Sequence, residues 1–97
     1  MAKVYDKASW HIDAGEIKEE VLSKMRTLFA FLDSQDLLTE EGKEIIEIGI
    51  DSEVSIHSRM LTEKGNKFMD TCYDSVINES KKEFSEALNK AYKEFNA

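Results

Sequence analysis

Apolar residues recur at helical spacing along most of this chain. Between Leu61 and Ile77 they fall in pairs every four positions, which places them on one stripe of an α-helix. Similar stripes run through residues 17–32 and 84–95. The pairs of the first stretch are Phe68, Met69, Cys72, Tyr73, Val76 and Ile77. The pattern predicts an all-α fold, a small bundle of three to four helices in which the stretch 61–77 supplies the central helix.

Start and stop signals set the expected bounds of these helices. Asp13 and Glu16 have the spacing of a capping box, with Asp13 as the N-cap, and Ile12 and Ile17 have the spacing of a hydrophobic staple. We therefore expect helices at about 14–34, 40–48, 63–77 and 80–95 in a single domain covering 1–97.

Two segments lack a helical period. Residues 1–12 are expected to form an extended arm that docks its aromatic side chains on the core, with a short strand as the alternative. Residues 51–60 are expected to form an irregular connector, with one short strand or hairpin as the alternative. One unbroken helix over 62–95 is a further alternative, but it would be ~50 Å long, which favours a break near 78–80 in a monomer of this size.

A short sequence occurs twice, at the expected starts of the second and third helices. Leu38-Thr-Glu-Glu-Gly42 recurs as Leu61-Thr-Glu-Lys-Gly65, 23 residues later. In both copies threonine is the expected N-cap, and glycine at the third helical position permits close approach of another backbone. We interpret the copies as two similarly capped helix starts.

The negative charge of the chain is concentrated in one segment. Of the net charge of −7, all of it lies between residues 33 and 53, where eight acidic residues accompany one lysine. Such a concentration indicates a surface that prefers a positively charged partner, and it disfavours nucleic acid, whose phosphates need clustered lysine and arginine. A basic protein is therefore the expected partner.

Within this segment, the helix predicted at 40–48 has two different faces. Ile45 and Ile46 are expected to point inward, while Glu40, Glu44 and Glu47 follow the spacing i, i+4 and i+7 and form an acidic ridge. The candidate partner-binding residues are Glu40, Glu44, Glu47, Asp51 and Glu53, together with Tyr5 and Trp10, which either pack the arm or anchor the contact.

Other classes of function lack supporting motifs. His11 and His57 have no recognised metal-ligand spacing, and neither a glycine-rich phosphate loop nor a nucleophile elbow is present. We expect no enzymatic activity and no catalytic, cofactor-binding or metal-binding residue. The N-terminal residues contain no apolar run, so we expect neither a signal peptide nor a membrane span. Cys72 on an apolar stripe is typical of a buried thiol in a reducing cytoplasm.

The heptapeptide Tyr5-Asp-Lys-Ala-Ser-Trp-His11 resembles the opening of small bacterial proteins that are often regarded as immunity proteins of polymorphic toxin systems. The resemblance implies a non-enzymatic domain that neutralises a toxin by binding it, and a basic toxin suits the acidic ridge. The alternative is a homodimeric structural or regulatory protein that pairs through residues 68–95. For that class, the two LTxxG segments are similar to helix starts of some winged-helix regulators.

Overall fold

A computed structural model describes residues 3–96 of the chain. The fold within these residues is mostly helical rather than all-α, because a small antiparallel sheet accompanies five α-helices. The elements in chain order are β1 (Val4–Lys7), α1 (Ala8–Asp13), α2 (Lys18–Ser34), α3 (Glu40–Ile48), β2 (Ser55–His57), a 3₁₀ turn (Ser58–Met60), α4 (Glu63–Val76) and α5 (Lys81–Phe95). Residues 1, 2 and 97 of the predicted arm and domain lie outside the described residues.

The N-terminal segment is not an extended arm over its whole length. Its first part, β1, pairs antiparallel with β2, so that Val4 lies opposite His57 and Lys7 opposite Ser55. The chain then turns into the short helix α1, and the amide of Ala8 donates to the Val54 carbonyl at 3.0 Å. The strand predicted as an alternative near 51–60 therefore exists, and its partner is the N-terminus of the chain.

The capping box predicted at Asp13 and Glu16 is wrong. Asp13 ends α1, and α2 begins only at Lys18, without a side-chain cap. The reason lies in Gly15, whose φ of +99° ends α1 in a Schellman motif. The Glu16 amide donates to the His11 carbonyl, and the Gly15 amide donates to the Ile12 carbonyl, both at 3.0 Å.

The remaining helices lie close to their predicted positions. The bounds of α3 are those that the sequence predicts, and α4 and α5 are separate helices with a break between Val76 and Lys81. The end of α2 repeats the geometry of the end of α1. Asp36 has a φ of +60°, and the Leu37 amide donates to the Leu32 carbonyl at 2.9 Å.

The two LTxxG segments contact each other reciprocally. Leu38 and Leu61 form an isolated antiparallel bridge. The Thr39 amide donates to the Met60 carbonyl, and the Thr62 amide donates to the Leu37 carbonyl, both at 2.9 Å. This arrangement relates the two helix starts by an approximate two-fold axis, which explains why the sequence occurs twice.

Close approach requires glycine in both copies. A Cβ on Gly42 would lie 2.5 Å from the Met60 carbonyl oxygen, and one on Gly65 would lie 2.7 Å from the Leu37 carbonyl oxygen. The predicted role of the two glycines is thereby confirmed. The threonines differ, because the Thr62 hydroxyl accepts from the Gly65 amide as a helix cap, whereas the Thr39 hydroxyl donates to the Arg59 carbonyl.

The core lies where α5 packs against both α2 and α4. Aromatic rings join the three helices, since Phe31 of α2 and Phe68 of α4 both contact Tyr92 of α5, with ring centroids 5.6 and 5.3 Å apart. The described residues extend 35 Å along their longest axis. Most of the apolar stripe of 68–95 is buried within the chain, at Phe68, Met69, Tyr73, Val76, Phe84 and Leu88. None of the helices in residues 3–96 combines the length and the apolar composition needed to cross a bilayer.

Candidate functional site: an acidic helix face and a buried polar cluster

The acidic ridge predicted on α3 lies at the surface. Glu40, Glu44 and Glu47 are exposed, and together with the half-buried Lys43 they line a shallow depression on the helix. Asp51 and Glu53 are also exposed and follow α3 directly in the chain, where the Glu53 amide donates to the Asp51 carboxylate at 2.9 Å.

The charge of these acidic residues is not neutralised within the protein. Among the side chains that the structure describes, none of the five carboxylates forms an ion pair. The neighbouring Glu41 differs, because its carboxylate lies 3.4 Å from His57 and 3.8 Å from Arg59. The ridge therefore keeps its field toward solvent, while the acid beside it is partly compensated.

Two isoleucines on α3 are more exposed than the sequence predicts. Ile45 is half-buried as expected, but Ile46 is 39% exposed and Ile48 is 75% exposed. The inward orientation predicted for Ile46 is wrong for much of its side chain: Ile46 lies on the same face of α3 as Gly42, four residues later, but Gly42 is the one residue that this helix buries fully. Helical spacing places Ile48 four residues after Glu44, beside the ridge.

The two predicted aromatic residues have different environments. Tyr5 is half-buried, and its hydroxyl donates to the Asn66 side chain of α4 at 2.8 Å, so it packs the N-terminal segment onto the core. Trp10 is 51% exposed, and the Lys7 ammonium lies 5.8 Å from the centre of its ring. Of the two, only Trp10 presents a large apolar surface to a partner. The structure joins Tyr5 to α4 rather than to the ridge on α3.

A polar cluster that the sequence analysis missed lies behind the N-terminal segment. Asp6 is 2% exposed, and its carboxylate accepts hydrogen bonds from the Tyr73 hydroxyl at 2.6 Å and the Lys7 amide at 2.9 Å. The Nε2 of His11 lies 2.8 Å from the same carboxylate, and its Nδ1 lies 2.6 Å from Glu16. One imidazole thus bridges two carboxylates.

The environment favours particular protonation states in this cluster. Burial lowers the pKa of His11, but hydrogen bonds and charge from Asp6 and Glu16 outweigh it, so that the pKa is raised above its ordinary value. Burial raises the pKa of Tyr73 strongly, with a further contribution from the Asp6 carboxylate, which keeps the phenol neutral. The arrangement therefore favours the imidazolium form of His11 between the two carboxylates.

Beside the cluster lies a cavity of about 10 Å³, lined by cluster residues together with Lys24, Val21, Met25 and Ile77. That volume holds about one water molecule and leaves no room for a substrate. Lys24 closes one side, where its ammonium donates to the Ile77 carbonyl at 2.7 Å, and burial lowers the pKa of this lysine.

Several residues of the heptapeptide 5–11 have a structural role in or beside this cluster. Asp6 and His11 are two of its members, and Ala8 is fully buried. The one local signal was the pairing of a carboxylate and an imidazole five residues apart, but their third partner, Tyr73, lies far away in sequence on an apolar stripe. A search for protein-family models, curated proteins and solved structures that resemble this chain finds no match, so any functional proposal depends on the geometry just described.

Proposed function

We propose that this chain is a non-enzymatic, acidic protein-binding domain that neutralises a basic protein, in the manner of an immunity protein. The contact surface would be the ridge of Glu40, Glu44 and Glu47, extended by Asp51 and Glu53. The observation that carries the proposal is the absence of compensating ion pairs for these five exposed carboxylates among the described side chains.

An uncompensated ridge carries a stability cost. Like charges at i, i+4 or i, i+3 destabilise a helix by about 0.2–0.5 kcal/mol per pair, and Glu44 has one ridge neighbour at such a spacing on each side, Glu40 and Glu47, besides the partly compensated Glu41. The cost is small, but substitution of any one glutamate would relieve part of it. A basic partner supplies the missing counter-charges and converts this repulsion into attraction across an interface.

The chemistry of the ridge suits capture of a nuclease-like partner. An acidic surface accelerates the encounter with a basic protein and competes with phosphate groups for the same lysine and arginine side chains. Ile48 lies beside the ridge and is 75% exposed, so it offers an apolar contact within a charged rim. Trp10 is a second apolar contact only if the partner extends to α1.

The alternative, a homodimer formed through residues 68–95, has less support. Most large apolar residues of that stretch are buried against α2 and other parts of the same chain. A dimer would have to use the half-buried residues at the end of α5, such as Tyr92 and Phe95. Light scattering distinguishes the two proposals, because a monomer in dilute solution disfavours the dimer.

The test uses the product of the reading frame adjacent to the gene for this chain, co-purified with it and titrated by calorimetry. We expect a complex whose affinity falls as salt rises from about 50 to 500 mM, since screening acts on charged contacts. The variant Glu40→Gln/Glu44→Gln/Glu47→Gln should weaken binding about 10- to 100-fold, if each charge contributes about 0.5–1 kcal/mol.

A matched control separates the ridge from net charge. The variant Glu19→Gln/Glu83→Gln/Glu86→Gln removes three exposed acidic side chains from α2 and α5 and leaves the chain with the same total charge as the ridge variant. Its affinity should stay within about twofold of the unmodified protein, a change of only ~0.4 kcal/mol. Equal weakening by both variants, or no complex at any salt concentration, would contradict the proposal.

A further inference from the structure

We propose that Asp6, His11, Glu16 and Tyr73 form a proton-controlled clasp that ties β1, α1 and the segment before α2 to one another and, through Tyr73, to α4. The clasp is closed while the His11 ring carries both of its protons, and it loosens when one proton leaves. This inference is independent of the acidic ridge and of any partner.

The positions of the two carboxylates require both ring protons of His11. Both ring nitrogens of His11 face carboxylates, Nδ1 toward Glu16 at 2.6 Å and Nε2 toward Asp6 at 2.8 Å. A neutral imidazole has one N–H donor and one lone pair. Loss of either proton therefore turns one attractive hydrogen bond into a contact between a lone pair and a carboxylate.

Groups from each neighbouring element face this imidazole. Asp6 comes from β1, Glu16 from the segment between α1 and α2, and Tyr73 from α4, where it binds Asp6 as a neutral phenol. Lys24 of α2 lines the same cavity. Glu20 and Glu79 line the adjoining depression that Lys24 and Glu16 share. With His11 protonated, the carboxylates of Asp6 and Glu16 face two cations across the cavity, the His11 ring and the Lys24 ammonium. Deprotonation of His11 leaves one negative charge uncompensated.

The direction of the pH effect follows from the raised pKa of His11. The unfolded chain has a histidine pKa of about 6.5. A group whose pKa is higher in the folded state stabilises that state fully below the unfolded pKa, and the contribution is lost as the pH rises through the folded pKa. The clasp is therefore tightest below the ordinary histidine pKa and loosens as the pH rises through the raised pKa of His11.

The loosening is expected to be local. Apart from the clasp, β1 and α1 are attached by the short pairing with β2, the Ala8 amide bond to Val54, the Tyr5–Asn66 hydrogen bond and the packing of Ala8 and Ile12 on the core. These attachments do not involve the His11 ring, so the rest of the fold should stay in place when the ring loses a proton. Trp10 adjoins His11 on α1 and is the only tryptophan in the chain. Its fluorescence therefore reports on this segment alone.

The first experiment is an NMR titration of the two histidines. We expect the midpoint of His11 to lie above about 6.5. The variant Glu16→Gln should lower this midpoint, because it removes one of the two carboxylates, and the matched surface variant Glu19→Gln should leave it in place. A His11 midpoint at or below the ordinary value, or one that Glu16→Gln leaves unchanged, overturns the proposal.

The second experiment follows the position of the segment itself. Acrylamide quenching of Trp10 should increase as the pH passes the NMR midpoint of His11, while far-ultraviolet circular dichroism stays constant. In the variant His11→Gln, which donates from one nitrogen at every pH, the quenching should no longer depend on pH. Quenching that is constant across the His11 titration, or a pH dependence that persists in His11→Gln, overturns the clasp even where the pKa is raised.

Discussion

Replacing Gly65 by alanine should destabilise the protein, although alanine is the better helix former. The position lies in the first turn of α4, where a glycine-to-alanine change alone would add about 1 kcal/mol of stability. A Cβ there would lie 2.7 Å from the Leu37 carbonyl oxygen, and relief of that contact to 3.0 Å requires a shift of at least 0.3 Å. The opposing atom belongs to the backbone, which cannot swing aside as a flexible side chain would.

Several free-energy contributions combine at this site. Overpacking of a close contact costs about 1–3 kcal/mol. The Leu37 carbonyl also accepts the amide hydrogen bond of Thr62 at 2.9 Å, and weakening of such a bond costs up to about 1 kcal/mol. After the gain in helix propensity of about 1 kcal/mol is subtracted, and with the weakened hydrogen bond costing at least ~0.5 kcal/mol, we expect Gly65→Ala to lower the free energy of unfolding by about 0.5–3 kcal/mol. In a chain of this length each kcal/mol lowers the melting temperature by about 4–8 °C.

The assay is urea unfolding followed by circular dichroism, with the same measurement on Gly42→Ala. A Cβ at Gly42 would lie 2.5 Å from the Met60 oxygen and 2.9 Å from a methyl carbon of Leu38, so this variant should lose more stability than Gly65→Ala. The pair Thr71→Ala and Thr71→Gly, at an exposed position of α4, measures the propensity difference without a packing contribution.

The decisive comparison is between the glycine positions and the exposed control. If Gly65→Ala is as stable as the unmodified chain, or gains the full increment found between Thr71→Gly and Thr71→Ala, the close approach of the two helix starts does not require glycine. The reasoning from the repeated LTxxG segments would then be refuted.

Three further predictions concern single side chains. Asp36→Gly should stabilise the protein by about 0.5–1 kcal/mol, because it relieves a non-glycine residue in the left-handed conformation at the end of α2 and removes a negative charge there. Asp36→Asn should gain less. Urea midpoints of both variants that equal or fall below that of the unmodified protein would contradict this. Tyr73→Phe should lower the free energy of unfolding by about 1.5–3 kcal/mol at neutral pH, since it removes a buried donor to Asp6. The raised pKa of this phenol causes a loss of stability above pH ~10, which the variant should abolish. Thermal melts recorded against pH measure both effects. Glu44→Gln should raise stability by about 0.4–1 kcal/mol at low salt, and the gain should vanish near 1 M salt; a gain independent of salt would exclude repulsion between Glu40, Glu44 and Glu47 as its cause.

Local sequence signals placed α3 and α4 well. Their starts follow threonine and their apolar positions repeat at helical spacing, and both signals act over a few residues. The spacing of Asp13 and Glu16 is equally local, yet it was misread, because Glu16 binds His11 instead. Gly15 is the competing signal in the sequence, because glycine readily takes the positive φ that ends a helix. The contact between Glu16 and His11, which decides between a helix end and a helix start here, is visible only in the folded structure.

Features that depend on distant residues were not accessible from the sequence. The pairing of β1 with β2 joins the start of the chain to its second half, although the alternation around 54–58 allowed a strand. Exposure of the acidic ridge was predictable from the spacing of its glutamates along one helix. The cluster around Asp6 was not predictable, because the sequence does not distinguish its partner Tyr73 from the other apolar residues of a core stripe.

The order of synthesis determines when β1 can reach its native partners. Asp6 and Tyr73 are separated by 67 residues, so the carboxylate leaves the ribosome long before its hydroxyl donor exists. β1 also lacks its strand partner until β2 has been made, and its backbone amides bind water until then. β1 is therefore made early but reaches its native partners late, and a nascent chain stalled before α4 should still carry a solvated, protease-accessible β1.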